Sequence, residues 1–353
     1  MAHAITRTNG RDEMAFVGET PWHGLGARLT QGATIEVWAR EAGMEWQALT
    51  ATPTFTRADG TIGKVGEKRV IYRSDTGAPL SVMGDGFNVV QPRDILEFFR
   101  SATENGGWHI HTAGTLHGGR RMWAMAHSDD AGETIVKGDR VKPNLLLATA
   151  LDGTMRTLAV PTAIRVVCAN TVAAALGCAT ATVALSHRSV FDPGVILDAM
   201  TRAGDEFAGF VAAARAMADK GISTEQARDI LRALFDDAKA ADSAKARAVT
   251  IASRAATAAS ESAALMARLG AKPAADDAAK DHRNVGRVLE LFAGRGRGAD
   301  AKGVAGTAWG LFSAVTEFAD HEAARTADTR LASAWFGRGA ALKSRAAELI
   351  LAA

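Results

Sequence analysis

Much of what narrows the reading of this 353-residue chain is missing from it. Only two cysteines occur, Cys168 and Cys178, without C-x-x-C spacing, so neither a disulfide framework nor a cysteine-based metal site is expected. No run of about 18 or more apolar residues is present, so no transmembrane helix is expected. The opening residues, MAHAITRTNGRDEMAF, lack the apolar core of a signal peptide. A reduced, cytoplasmic protein with no membrane association is the expectation. Charge of one sign is missing too: 41 Lys and Arg against 39 Asp and Glu leave a net +2, so any affinity for nucleic acid must come from local patches. No GxGxxG or GxxxxGK[ST] opens a helix after a strand, which disfavours dinucleotide and P-loop functions. No cofactor is called for.

What is present falls into two regimes. Up to about Ser189 the chain is rich in Val, Ile, Thr, Trp and Gly, in short segments divided by turns. Beyond it Ala dominates and the apolar period lengthens towards that of helices. The pattern predicts an α+β fold: an N-terminal antiparallel sheet with a few packed helices over 1–190, then a mostly helical, Ala-rich region over 191–353. Asp192-Pro193 marks the change, and AKPAADDAAK at 271–280 reads as a mobile linker.

In chain order, Thr34 is expected to cap a helix over Ile35–Ala42 that closes at Gly43. Strands follow at Trp46–Phe55, Lys68–Arg73 and Leu80–Val90, then a helix over Arg93–Glu104 burying Ile95, Leu96, Phe98 and Phe99. Two hairpins come next, Trp108–Leu116 with Arg120–His127 about His117-Gly-Gly119, and Val141–Asp152 with Thr154–Val167 about Asp152-Gly153. Pro161–Ser189 reads as strand, short helix Val172–Leu176 capped by Thr171, and strand. Helices are then predicted over Val195–Lys220, Ser223–Ala241 with a Ser223–Gln226 capping box, Ser243–Leu269, His282–Phe292, Thr307–Ala319 and Ala323–Ala353.

Several residue groups can carry chemistry. Arg165, His187 and Arg188 stand at the two ends of the strand-helix-strand unit, and Arg and His are good phosphate binders. Arg69 and Arg73 alternate along one predicted strand, as do Arg121 and Trp123 along another. A sheet face presenting arginine and an aromatic ring can hold a single nucleic-acid strand by ionic contact and stacking; arginines lying over a core give the same pattern. Cys168 precedes a predicted helix start, where a thiolate is stabilised, but no His or Asp is paired with it by any motif. His109, His111, His117 and His127 cluster on one hairpin without a matching carboxylate, so no metal site is expected. Gly294-Arg-Gly-Arg-Gly298 is either an arginine-glycine tract or a plain interhelix loop.

Four separated motifs occur together: Thr20-Pro-Trp-His-Gly-Leu-Gly26, Ile164-Arg-Val-Val-Cys-Ala-Asn-Thr171, Gly306 to His321, and Arg330-Leu-Ala-Ser-Ala-Trp-Phe-Gly337. In this order they resemble the phage/plasmid-like protein family built on a bacterial and phage domain of unknown function. The resemblance implies a mobile-element protein associated with DNA recombination or replication. The order of helix, antiparallel strands and helix is also similar to phage Erf- and Redβ-type single-strand annealing proteins, an analogy of fold alone.

The expected function is a non-catalytic, homo-oligomeric protein binding single-stranded DNA through Arg165, His187, Arg188, Arg69, Arg73, Arg121 and Trp123, as an annealing recombinase. The alternative is a phage or plasmid assembly oligomer with no nucleic-acid activity. The C-terminal motifs predict a helix pair docking on the N-terminal half, with Gly310 permitting close packing.

Overall fold

The computed structural model describes residues 5–18, 25–105, 108–128, 132–165, 170–171, 183–185, 187, 194–236, 275–323, 333–334 and 337–353. The architecture is α+β, with the sheets in the first half of the chain. The central sheet has nine strands among the described residues. Its labelled strands are β1 (Met14–Val17) and β2 (Ala27–Leu29). A separate three-stranded sheet contains β3 (Ala48–Ala51), β4 (Lys68–Arg73) and β5 (Pro79–Gly84). The central sheet continues with β6 (Trp108–Leu116), β7 (Arg121–Ser128), β8 (Glu133–Val136), β9 (Asp139–Ala150), β10 (Thr157–Arg165), β11 (Asn170–Thr171) and β12 (Val183–Leu185). Its order is β11-β10-β9-β7-β6-β1-β2, with β8 on β9 and β12 on β10. Only the β1–β2 pair is parallel among them.

The local chemistry accounts for these elements. Thr34 caps α1 (Ile35–Glu41), its hydroxyl accepting the Val37 N–H at 3.4 Å. Helix α2 (Pro92–Asn105) begins at proline and buries Ile95, Leu96, Phe98 and Phe99 as its spacing predicts. The expected strand over 46–55 is broken at Pro53, which has no N–H to give a ladder; a separate ribbon pairs Thr54–Thr56 with Ile62–Lys64. Thr154 does not open a strand: its N–H donates to Asp152 in a local turn, and β10 begins only at Thr157. Asn170 and Thr171 form the short strand β11. They fold back on β10, opposite Arg165 and Ile164. The predicted helix 172–176 lies outside the described residues.

Alternation assigns the two faces of the central sheet. On one, Met122, Ala124, Leu145, Leu147 and Ala159 pack with α1, α2 and the inner face of the three-stranded sheet. On the other, Trp123, Met125, Leu146 and Ala148 cluster with Ile5, Met14 and Leu116.

The helical half contains α3 (Gly194–Asp219), a helical run over 224–236, α4 (Ala275–Glu290), α5 (Ala308–His321) and α6 (Arg338–Ala352). Ser223 and Gln226 exchange the two hydrogen bonds of a capping box, at 2.9 and 3.2 Å. The stretch 271–280, read as a linker, enters α4 at Ala275. The predicted helix over 243–269 lies outside the described residues.

Helix α5 is the centre of this half, buried from Ala308 through Asp320. It packs against α3, α6 and β11, so two of the motifs singled out in the sequence meet in space. Trp309 donates its indole N–H to Asp139 at the start of β9, at 2.7 Å. Ile135, Val141 and Ala163 of the sheet share one core with these helices. The C-terminal helices therefore dock on the N-terminal half, as expected.

Gly310 is required where α5 begins: a Cβ there would lie 2.1 Å from the Val304 carbonyl oxygen. Because backbone cannot move aside cheaply, Gly310→Ala is expected to destabilise the protein by at least ~1–3 kcal/mol. Urea denaturation checks this; an unchanged midpoint contradicts the packing.

Candidate functional site

Arg73 is the most firmly held of the expected contacts, and it faces inwards. At 2% exposure it donates two hydrogen bonds to Glu13, at 3.0 and 2.7 Å, and two to Asp75, at 2.9 and 2.7 Å. Its guanidinium carbon lies 4.5 Å from the centre of the Trp46 ring. Thr8 donates to Glu13 at 2.6 Å, and Thr115 donates to its other oxygen. Gly119 closes the site from the β6–β7 turn, where a Cβ would meet Trp46 at 2.9 Å and Arg73 at 3.0 Å. Burial alone would lower the Arg73 value, but hydrogen bonds to Asp75 and Glu13 outweigh it and raise the guanidinium further above its ordinary range. The Arg73 hydrogen bonds, aided by its charge, draw the Asp75 carboxyl below its usual range against the cost of partial burial.

Among the described residues, Trp123, Arg121, Arg69 and His187 do not converge on one surface. Trp123, at 2% exposure, belongs to the core of the second sheet face. Arg121, on the same strand, donates to Thr154 at 3.1 Å. Arg69 pairs with Asp85 at 3.1 Å, on the face of β4 shared with Ile71 and Arg73. His187 acts as a clamp: Nδ1 lies 3.2 Å from the Asn88 carbonyl and Nε2 3.1 Å from that of Met155, while its ring stacks on Phe87 at 4.4 Å. Arg165 stands at the end of β10 opposite Val141. Arg188, Cys168 and Cys178 lie outside the described residues. Burial therefore takes Arg73 and Trp123 out of any solvent-facing contact set.

The basic stretch near 283–302 is partly neutralised. Arg287 pairs with Glu322 at 2.7 Å and with Glu290 at 2.8 Å, and Arg295 pairs with Glu290 at 3.0 Å. The Arg297 N–H donates to Glu317 of α5 at 2.9 Å, which fixes Gly294–Gly298 as an interhelix loop. Among the described residues, no group of three or more His, Cys, Asp or Glu is placed to hold a metal ion.

A solvent-facing surface is instead found where the sequence pattern pointed only indirectly. In the three-stranded sheet, Leu49 stands opposite Tyr72, Ala51 opposite Val70, and Val70 opposite Val82. These outer positions alternate with the buried Ile71, Arg73 and Ala48. Val82 is 58% exposed, Tyr72 is half-buried, and Lys68 is exposed on the same face of β4. Beyond Pro53 the separate ribbon exposes Phe55 on one side and Ile62 on the other, 50% and 70% exposed. The Arg57 guanidinium lies 5.5 Å from the Phe55 ring centre, and Lys64 is exposed on the return strand. The alternation of Lys68-Arg-Val-Ile-Tyr-Arg73 was visible in the sequence. Which of its faces points outward was decided by Glu13, a partner about 60 residues away in the chain.

A family model described as a domain of unknown function (DUF932) matches residues 79–335. No curated protein and no solved structure matches the chain.

Two outcomes follow from the Arg73 site. Arg73→Met, which leaves the Glu13 carboxylate buried, is expected to cost about 3–5 kcal/mol in urea denaturation. Asp75 is depressed, so its contribution is fully present above its unfolded value of about 3.9 and is lost as pH falls through the lower folded value. Asp75→Asn should therefore flatten that acid limb of the stability profile; a limb of unaltered steepness contradicts the assignment.

Proposed function

The chain belongs to the family described as a domain of unknown function (DUF932), and from that premise we propose that it is an oligomeric protein binding single-stranded nucleic acid on the outer face of its three-stranded sheet. The observation that carries the reading is the exposed face itself. It presents the ring of Tyr72, the only tyrosine in the chain, on the same face of β4 as Lys68, and the separate ribbon exposes Phe55 with the Arg57 guanidinium over its ring. Base faces stack on aromatic rings while cations neutralise the phosphates, with little dependence on sequence. The near-neutral net charge of +2 fits a local patch rather than a whole-protein field. In this reading the protein acts in the cytoplasm on the DNA of a phage or plasmid, as a single-strand annealing recombinase. It needs no catalytic residue.

A second reading has an observation of its own. Ile62 and Val82 are aliphatic and widely exposed, and exposed aliphatic surface serves protein contact better than base stacking. On that reading the face buries against other copies in an assembly with no nucleic-acid activity. In both readings no helix among the described residues is long and apolar enough to cross a membrane.

Fluorescence anisotropy with a labelled single-stranded oligonucleotide separates the two. Tyr72→Ala is expected to weaken binding by ~1–3 kcal/mol, the worth of one stacked base. Lys68→Ala is expected to reduce the slope of log affinity against log salt by about 0.7, the value for one phosphate of a single strand. Absence of binding at low salt removes the nucleic-acid reading, and light scattering from a large oligomer indifferent to the oligonucleotide then supports assembly.

A further inference from the structure

A cavity of about 320 Å³ lies between the entry to α1, helix α2 and the start of β6. Strand β1 pairs with β6 only from Thr112 to Gly114. The first residues of β6 therefore have no strand on that side among the described residues. Small-molecule sites begin at about 300 Å³, so the cavity has room for one compact molecule. Ile35, Ile110 and Ala33 give it an apolar lining. Three other lining residues, Trp38, Arg100 and His109, carry planar side chains.

Two of these planar groups have hydrogen-bonding capacity that the fold does not use. Trp38 is 2% exposed, and its indole N–H donates to no acceptor among the described residues. A buried indole N–H ordinarily finds a partner. In this chain Trp46 donates to the Gly43 carbonyl at 3.0 Å and Trp309 to Asp139 at 2.7 Å. The His109 ring is half-buried and likewise has no hydrogen-bond partner among the described residues. An imidazole can donate from one nitrogen and accept at the other. Arg100 is different in kind. It donates to Glu97 at 2.6 and 3.1 Å and to Glu36 at 2.9 Å. Arg93 donates to the same two carboxylates, at 3.0 and 3.3 Å. Two cations against two carboxylates leave this side of the cavity without net charge, so Arg100 serves as a flat wall rather than an anion contact.

We propose that this cavity binds an uncharged, planar heterocycle of nucleobase size, which accepts a hydrogen bond from the Trp38 indole and exchanges one with His109. An anion would have to displace Glu36 or Glu97 from Arg100, so the balanced charge favours a neutral ligand. Aromatic rings and guanidinium planes stack on flat rings, and the aliphatic walls exclude water around them. The same chemistry has two sources, a free base or nucleoside and a base of a nucleic-acid strand. The cavity shares no residue with the outer face of the three-stranded sheet, and the proposal does not rest on strand binding there.

Titration of the full-length protein with adenine, indole and benzoate, followed by NMR of the indole N–H resonances, tests it. Adenine, planar, uncharged and bearing ring acceptors, is expected to bind saturably and to move the Trp38 resonance, identified by its loss in Trp38→Phe. Indole matches it in size but offers no acceptor, and is expected to bind about tenfold more weakly for want of that hydrogen bond. Benzoate, planar but charged, is expected not to bind. His109→Phe is expected to weaken adenine about fivefold. Ala33→Leu fills the cavity and keeps both hydrogen-bonding side chains; it is expected to abolish adenine binding, and it carries the test if Trp38→Phe, a core substitution, does not fold. An oligonucleotide that moves the same resonance and competes with adenine assigns a base of a strand. Adenine binding that the oligonucleotide leaves undisturbed assigns a free base or nucleoside. The proposal is overturned if adenine does not bind, if Ala33→Leu leaves its affinity unchanged, or if indole or benzoate binds as tightly. Each of those failures leaves the outer-face reading to be decided separately, on Tyr72→Ala.

Discussion

The first half of the protein is held around the buried carboxylate of Glu13. An unpaired charge there would be intolerable, so donors from several distant segments gather on it. Arg73 arrives from the three-stranded sheet, Thr115 from β6, and Thr8 from the short pairing of Arg7–Thr8 with Arg11–Asp12 near the start of the chain. The backbone at Glu13 is tied as well, its N–H to Thr6 and its carbonyl to Thr115. One charge thereby fixes how the small sheet sits against the central one. It also decides which side of β4 faces inward and leaves Tyr72 and Lys68 on the other.

The helical half repeats the device at two more points. Asp139 receives the Trp309 indole, and Lys343, fully buried, pairs with Asp320 at 2.7 Å. Such buried pairs contribute little net stability compared with apolar packing, since desolvation offsets most of the attraction. They act chiefly on specificity, because a shifted helix would strand a charge in the core. Helix α5, surrounded on all sides, is thus aligned by charge at both ends and by Gly310 against Val304.

What the sequence made legible was local. The Thr34 cap, the apolar stripe of α2, the Gly118-Gly119 turn and the Ser223–Gln226 box are each set by residues within one or two turns of each other, and each appears where the pattern put it. Ends of strands were less legible, because Pro53 and the Asp152 turn compete with the ladder for the same residues. The candidate contact set was the least legible part. For Arg73 and Trp123 the strand-face pattern slightly favoured core over contact, and the deciding partners, Glu13 and the Met14–Leu146 cluster, lie far off in the chain.

The Trp309–Asp139 bond spans 170 residues, and that distance is also a delay. A ribosome working at about 5–20 residues per second takes roughly 10–30 s to travel from one partner to the other. During that interval the β9 end of the sheet, with Val141 and Ile135 beside it, has been made but lacks the helix that will cover it. The nascent chain must keep this apolar end from pairing with another sheet until α5 emerges. The safety of this stretch during synthesis depends on timing as much as on sequence.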